Sequence, residues 1–254
     1  AFSLERVKQM GDLGFFGCGI EEQYGGNGMG ILESVLLAEQ VAKVSPSWRL
    51  PFNMQNIGPA LTVQKFGNEA QKKLWLEPLL AGEIRSAFAM TEPMGAGADP
   101  TLLKTTARRK GRGFVLEGRK WFTTGAEGAA FFLVLARAEE GPTIFLVDRE
   151  NPGLKLVRTI PTMDHWSLGG HGELVLEGCE VGEEAVLGEV GKGFEYAELR
   201  LDPARLTHCM RWLGWADRVL DLCRAYLATR VSFGKELMRH QAVQAMLARR
   251  RWPT

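Results

Sequence analysis

The sequence has few of the residues that most often announce a function on their own. It holds only four cysteines in 254 residues, Cys18, Cys179, Cys209 and Cys223, and no two of them form a CxxC pair. Its four histidines, His165, His171, His208 and His240, make no HExxH or HxxxH pair. Zinc and iron–sulfur sites depend on ligands at such spacings, so no metal site is expected. The cysteines read as reduced and structural. An excess of charge of one sign is also missing: 31 Lys plus Arg stand against 30 Asp plus Glu, a net +1. That balance argues against a nucleic acid or an acidic membrane held mainly by a charge field. Long hydrophobic runs are absent too. The longest, such as Phe131–Ala136, fall far short of the ~18–20 residues of a membrane-spanning helix. Ala1–Leu4 has neither a basic start nor a long apolar stretch behind it, so no signal peptide is read and the expected location is cytoplasmic.

What is present changes character twice along the chain. Residues 1–86 read as helices. Ser3 is placed to cap a short first helix that ends near Gly11 or Gly14. Ile31 to Val44 puts Ile31, Val35, Ala38 and Ala42 on one face. Asn68 followed by Gln71 is a capping-box pattern, opening a helix with Leu74, Trp75 and Leu79 that Pro78 must strain. Residues 87–190 switch to short extended runs: Ala87–Thr91, Thr105–Arg109, Phe114–Phe122, Phe131–Arg137, Thr143–Asp148, Leu154–Ile160 and Gly172–Val181. Turn residues separate them, among them Lys110-Gly111-Arg112-Gly113, Gly141-Pro142 and Asn151-Pro152-Gly153, as in an all-β barrel or sandwich. Residues 191–254 return to helical spacing. Asp202 before Pro203 predicts an N-cap and first turn, followed by Leu206, Met210, Leu213, Asp217 and Leu220. This helix should run toward Arg230 and stop near Gly234, and a second should open near Lys235. The fold class is therefore α+β, with an N-terminal helical domain, a central antiparallel β-barrel or sandwich, and a C-terminal helical part.

Two segments carry chemistry. Phe88-Ala89-Met90-Thr91-Glu92-Pro93 leaves a strand and enters the small-residue loop Gly95-Ala96-Gly97-Ala98-Asp99. Small residues let a ligand approach the backbone closely, and Thr91 supplies a hydroxyl. Trp121-Phe122-Thr123-Thr124-Gly125 ends another strand in aromatics and two hydroxyls. The residues alone leave two readings open, a tight structural loop or a binding loop. Glu92 reads as a hydrogen-bonding residue within the loop, and Asp202 as a helix cap. Trp121 as a core aromatic and Arg230 as a solvated helix-end cation are the plain alternatives for those two.

Four blocks in order resemble the acyl-CoA dehydrogenase family. Phe88–Asp99 is similar to its FAMTEPxAGSD segment, and Thr105–Gly125, with Gly118, Lys120 and Trp121, to the block ending in WITNG. Gly191-Lys192-Gly193-Phe194 is similar to its GxGF helix entry, and Arg230, Phe233, Gly234 and Gln241 to its RxxFGxxxxxxQ block. The resemblance implies FAD between the β domain and a helical bundle. It places Met90, Thr91, Trp121, Phe122 and Thr123 around the flavin, with Thr123 hydrogen-bonding near N5, the atom that receives hydride. It places Arg230 against the pyrophosphate of a neighbouring subunit's FAD, Phe233 by the adenine and Gln241 nearby. Ala98, where a serine is usual, and Arg205 would contact the acyl-CoA. The implied activity is α,β-dehydrogenation of an acyl-CoA, with electrons passed to an electron-transfer flavoprotein-like acceptor by a homodimer or homotetramer.

The chain departs from the family in two places. The loop from Pro93 to Asp99 is one residue longer than usual, which resembles the branch whose animal members accompany a kinase-like domain. The expected catalytic glutamate is absent: Ala204 stands at the position some members use, and other members place it later than Thr254. Glu198 and Asp202 lie near Ala204 in sequence. From Arg249 to Thr254 the sequence departs from the family's helix, so the resemblance implies a C-terminal bundle cut short, with Trp212, Trp215 and Leu222 left exposed. The catalytic residue is therefore unknown. The competing readings are a non-catalytic homologue acting as a scaffold or interaction subunit, and a flavin oxidase or monooxygenase on the same fold.

Overall fold

The structure, a computed structural model, describes residues 4–163 and 169–249. Ser3, His165 and Arg250–Thr254 lie outside the described residues. The order is helices, one sheet, helices. The first layer holds α1 (Leu4–Asp12), α2 (Ile31–Val44), α3 (Arg49–Asn56), α4 (Pro59–Phe66), α5 (Glu69–Gln71) and α6 (Glu77–Leu80). The capping box opens α5 as expected: the Asn68 side chain accepts from Gln71 N at 2.9 Å, and Gln71 accepts from Asn68 N at 3.0 Å. Between α5 and α6 the backbone widens into a π-helical stretch, Lys72–Leu76. Pro78, which lacks an N–H and crowds the preceding turn, falls at the start of α6 just after it. The strain expected at Pro78 is thus taken up by a register change in the helix.

The sheet has seven strands: β1 (Ser86–Ala89), β2 (Thr106–Lys110), β3 (Gly113–Thr124), β4 (Phe131–Ala138), β5 (Gly141–Asp148), β6 (Leu154–Thr159) and β7 (His171–Val181). The order is β1-β4-β2-β3-β7-β6, with β5 on β4. The pairing corrects the wholly antiparallel expectation, because β1 runs parallel to β4 in the register Ser86↔Phe131 to Ala89↔Val134. A parallel neighbour needs a long crossover, and here β2 and β3 lie within it. Pro142 is also corrected. It lies in β5, opposite Arg137, and Glu139-Glu140 form the turn. An outer strand tolerates a residue with no N–H.

The run Phe131–Ala136 is unbroken by polar residues because both of its faces are buried. Phe132, Val134 and Ala136 join the core beneath the sheet with Phe114, Leu116, Phe145, Leu174 and Leu176. Phe131, Leu133 and Leu135 face the helices, against Val63, Leu76, Leu79 and Tyr196. Trp75 stacks on Phe131 at 4.5 Å and Phe66 on Tyr196 at 3.8 Å.

After the sheet come α7 (Gly193–Leu199), α8 (Leu201–Thr229), a hairpin of β8 (Val231–Ser232) and β9 (Lys235–Glu236), and α9 (Gln241–Arg249). Three expectations change here. Asp202 is not the cap: Arg200 precedes α8 in helical geometry (φ −79°, ψ −17°), and Asp202 lies in the first turn. An acidic residue there still complements the helix dipole. The last helix opens at Gln241 rather than near Lys235, because the hairpin intervenes. The packed faces are also rotated. In α2 the buried residues are Ser34, Ala38, Val41 and Ala42, while Ile31 is 49% exposed. In α8 they are Ala204, Thr207 and Gly214, while Leu206 and Leu213 face outward. Close approach decides this: a Cβ on Gly214 would stand 2.2 Å from Glu39 O of α2. Small residues therefore form the α2–α8 seam, and the bulky ones point elsewhere. Trp212, Trp215 and Leu222 are exposed, as anticipated. Among the described residues no helix is long and apolar enough to cross a membrane.

Candidate functional site

The two chemistry-bearing segments meet through one buried ion pair. Glu92 follows β1 and is 5% exposed, while Lys120 in β3 is fully buried. Their side chains meet at 2.8 Å. Glu92 also accepts from Lys104 N at 2.7 Å and Thr105 N at 2.9 Å, and Lys120 donates to Met90 O at 3.0 Å. Burial alone would push the Glu92 carboxyl up, but Lys120's charge and these hydrogen bonds together hold it below the ordinary carboxylate value. Burial brings the Lys120 ammonium down to about 8 against the pull of Glu92. The loop residue Glu92 thus does what the sequence suggested, and it also ties three strands' ends together. Lys120 was legible only as one position of a motif. Its burial depends on a partner twenty-eight residues away, which no local pattern reveals.

The small-residue loop serves the chain itself. A Cβ on Gly95 would meet Glu92 Oε2 at 2.4 Å and Leu102 O at 2.8 Å, so glycine lets the loop close over the carboxylate. Gly97 faces open space. Ala98 is exposed, one residue before Asp99, whose side chain accepts from Thr101 N at 2.9 Å and Thr101 Oγ1 at 2.6 Å.

At the end of β3 the register slips. Lys120 opposes Leu174 and Thr123 opposes Gly172, so two residues on β3, Trp121 and Phe122, stand against one on β7, Glu173. Phe122 takes φ +48°, a conformation that side chains rarely adopt. Bulges and positive φ of this kind re-aim side chains and gather at functional sites. Here the slip turns Thr123 inward to 1% exposure and leaves Phe122 outside at 45%. Trp121 is partly exposed, its ring 4.9 Å from that of Phe122, and its backbone N–H donates to Thr91 O at 3.0 Å. Thr123 Oγ1 is buried with no hydrogen-bond partner. Buried hydroxyls normally find a partner, so this orphan fits a site that completes it with a ligand atom.

Met90, Thr91, Trp121, Phe122 and Thr123 therefore come together. The other predicted residues do not join them. Arg205 is exposed in the first turn of α8 and pairs with Asp202 at 3.2 Å. Arg230 ends the same helix, about 37 Å away at the usual rise per residue. Phe233 sits at the tip of the β8–β9 hairpin with φ +50° and 96% exposure. Gln241 is exposed at the first position of α9. Ala204 is buried above Thr207, whose hydroxyl donates to Ala204 O at 2.9 Å and Asn53 Oδ1 at 3.1 Å. Glu198 and Asp202 face solvent. A separate cleft of about 740 Å³, lined by residues including Arg85, Glu127 and Arg149, holds none of the motif residues.

The chain is similar to known proteins. Family models for the N-terminal, middle and C-terminal domains of acyl-CoA dehydrogenase match residues 1–83, 87–179 and 191–252. The chain belongs to the acyl-CoA dehydrogenase family. It is 40% identical over 194 residues to the probable acyl-CoA dehydrogenase FadE2 of Mycobacterium tuberculosis, covering 73% of this chain and 48% of that protein. It is 35% identical over 242 residues to mouse acyl-CoA dehydrogenase family member 11, covering 89% of this chain and 30% of the relative. A glutaryl-CoA dehydrogenase from Mycobacterium smegmatis, solved in complex with FADH2, superposes with a TM-score of 0.91 at 28% identity. That match covers 98% of this chain and 63% of the other. The chain thus spans about half or less of the length of these curated relatives.

Proposed function

We propose that this acyl-CoA dehydrogenase chain binds FAD and takes part in the α,β-dehydrogenation of an acyl-CoA, passing electrons to a carrier flavoprotein. The observation that carries the reading is the bulge at Trp121–Thr123, with its buried, partnerless hydroxyl. FAD, when bound, supplies the hydride acceptor at N5. The chain's own residues do the rest. Thr123 donates a hydrogen bond into the site, which favours the electron-rich reduced flavin. Met90, Thr91 and Trp121 shield the site from water, and the Glu92–Lys120 pair fixes the two segments that carry them. Arg205 is exposed and free to swing from Asp202 to a CoA phosphate. The separation of about 37 Å between Arg205 and Arg230 supports Arg230, Phe233 and Gln241 serving a neighbouring subunit's FAD, in a homodimer or homotetramer.

The reaction also needs a carboxylate to take the α-proton. Ala204 cannot, and Glu198 and Asp202 face solvent. The base must come from outside these positions. That observation keeps a second reading open, a non-catalytic homologue that binds flavin or partners. Anaerobic titration of the purified, FAD-loaded chain with a panel of acyl-CoAs separates the two. Bleaching of the visible flavin band supports the dehydrogenase. Flavin bound without bleaching by any thioester leaves the non-catalytic reading.

A further inference from the structure

Arg200, between α7 and α8, is a charge without a counter-charge. Its guanidinium carbon Cζ lies over the Phe88 ring, 4.0 Å from the centroid, and its Nε is shielded from solvent with no hydrogen-bond partner. Burial brings it down to about 10. The carboxylates on its own helices are turned away: Glu198 is exposed, and Asp202 pairs with Arg205. Glu92, at the end of the strand that carries Phe88, is held by Lys120 and two backbone N–H groups. Arg200 is half-buried, and cations drawn out of water are ordinarily paired; among the described residues this one has no ion pair. Its position is informative. Phe88 and Met90 project to the same side of β1, into the core between sheet and helices, so Arg200 stands on the face of the strand that leads to Met90 and Thr91. With Phe88 beneath the guanidinium carbon and Nε sealed, the terminal Nη donors are the groups left to bind, and they match a carboxylate or phosphate.

We propose that Arg200 is a specificity-determining residue that receives an acidic group carried on the acyl chain, so that the preferred thioesters are acid-substituted ones. The inference rests on the acyl-CoA reading above and names its substrate class. CoA phosphates are the other source of the same chemistry, and the test separates them. The FAD-loaded chain is titrated calorimetrically with matched pairs of neutral acyl-CoA and ω-carboxyacyl-CoA at short, medium and long chain lengths. At one or more lengths the ω-carboxy member should bind about tenfold tighter or better, as a charge-assisted pair allows. Arg200→Gln should bring its affinity down to that of the neutral member, and Arg200→Lys, which keeps the charge but not the fork, should lose less. In the ligand-free chain Arg200→Met should not lower the melting temperature, because no counter-charge is lost and the thioether still packs on Phe88. No preference at any length overturns the proposal, as does a preference that survives Arg200→Gln. Equal weakening of both members by Arg200→Gln assigns the residue to CoA, and a lowered melting temperature in Arg200→Met makes it structural. If neither kind of thioester binds while FAD does, the acyl-CoA reading falls together with this one; if only the neutral members bind, that reading stands and the inference alone fails.

Discussion

Glu92→Gln is the sharpest test of how the site is held together. The substitution removes one charge at almost constant volume and leaves Lys120 buried opposite an amide. It also deprives one of the two backbone donors, Lys104 N or Thr105 N, of its acceptor, at about 1 kcal/mol. The larger effect is on Lys120. With Glu92 ionised beside it the ammonium is already down at about 8, against an ordinary 10.5; without that charge it goes lower still. At neutral pH the folded variant must then hold a neutral lysine. Discharging a lysine of ordinary pKa costs about 5 kcal/mol at pH 7, and the wild type already bears about 3 kcal/mol of that, so the neutral lysine adds about 1–2 kcal/mol. Together with the lost acceptor the expected loss at pH 7 is about 2–3 kcal/mol, at the low end of the about 3–5 kcal/mol typical when a buried pair is broken from one side. The sign with pH follows from the direction of the shift. A lysine whose folded value is lowered costs the folded state its full penalty below about 8. That penalty is relieved as pH rises from about 8 toward 10.5, because there the unfolded chain binds more protons. At pH 9 wild-type Lys120 has mostly lost its proton too, so the gap between wild type and variant should narrow by at least about 1 kcal/mol. Urea unfolding followed by circular dichroism at pH 7 and pH 9 measures both values. Adding Lys120→Met to Glu92→Gln should recover part of the loss, since the stranded charge goes with it. A loss under about 1 kcal/mol at pH 7, or one unchanged at pH 9, would refute the reasoning.

Three further outcomes follow from the same geometry. Gly214→Ala should destabilise the chain by about 1–3 kcal/mol, because its methyl group would collide with the Glu39 carbonyl across the α2–α8 seam; a thermal melt equal to wild type contradicts the close approach. Thr123→Val should weaken FAD binding about five- to tenfold, one hydrogen bond's worth, while the flavin-free melting temperature holds, since the hydroxyl has no protein partner to lose. Flavin titration of both proteins checks the first half and calorimetry the second. Glu173, buried in β7, accepts from Arg119 Nε and Arg158 Nε at 2.6 Å each. The Arg158 hydrogen bond chiefly, with Arg119, holds its carboxyl below the ordinary 4.5. The stability this adds is present above that value and is lost as pH falls below it. Glu173→Gln should therefore flatten the acid side of the stability profile, and an unchanged acid limb would count against the pair.

Much of this protein was legible one segment at a time. All seven sheet strands were anticipated to within a few residues, because alternation and turn residues are local signals. The capping box at Asn68–Gln71 was readable for the same reason: both partners lie within one turn. The motif blocks at Phe88–Asp99 and Thr105–Gly125 marked where chemistry would gather, and Glu92's role in its loop could be inferred from its neighbours. Tertiary structure decided everything that depended on a distant partner. The β1–β4 pairing is parallel because the chain returns to Phe131 from the far side of β2 and β3, which periodicity cannot express. The faces of α2 and α8 turned to bring Gly214 against the backbone of Glu39 and Lys43, since backbone approach outweighed the burial of Ile31, Leu206 and Leu213. Phe122's positive φ and the inward turn of Thr123 come from a slip against β7, invisible in β3 alone. In sequence Arg200 is one more charge before a helix; only the packed strand beneath it, with Phe88 under the guanidinium and no paired carboxylate among the described residues, made it a residue with something left to bind.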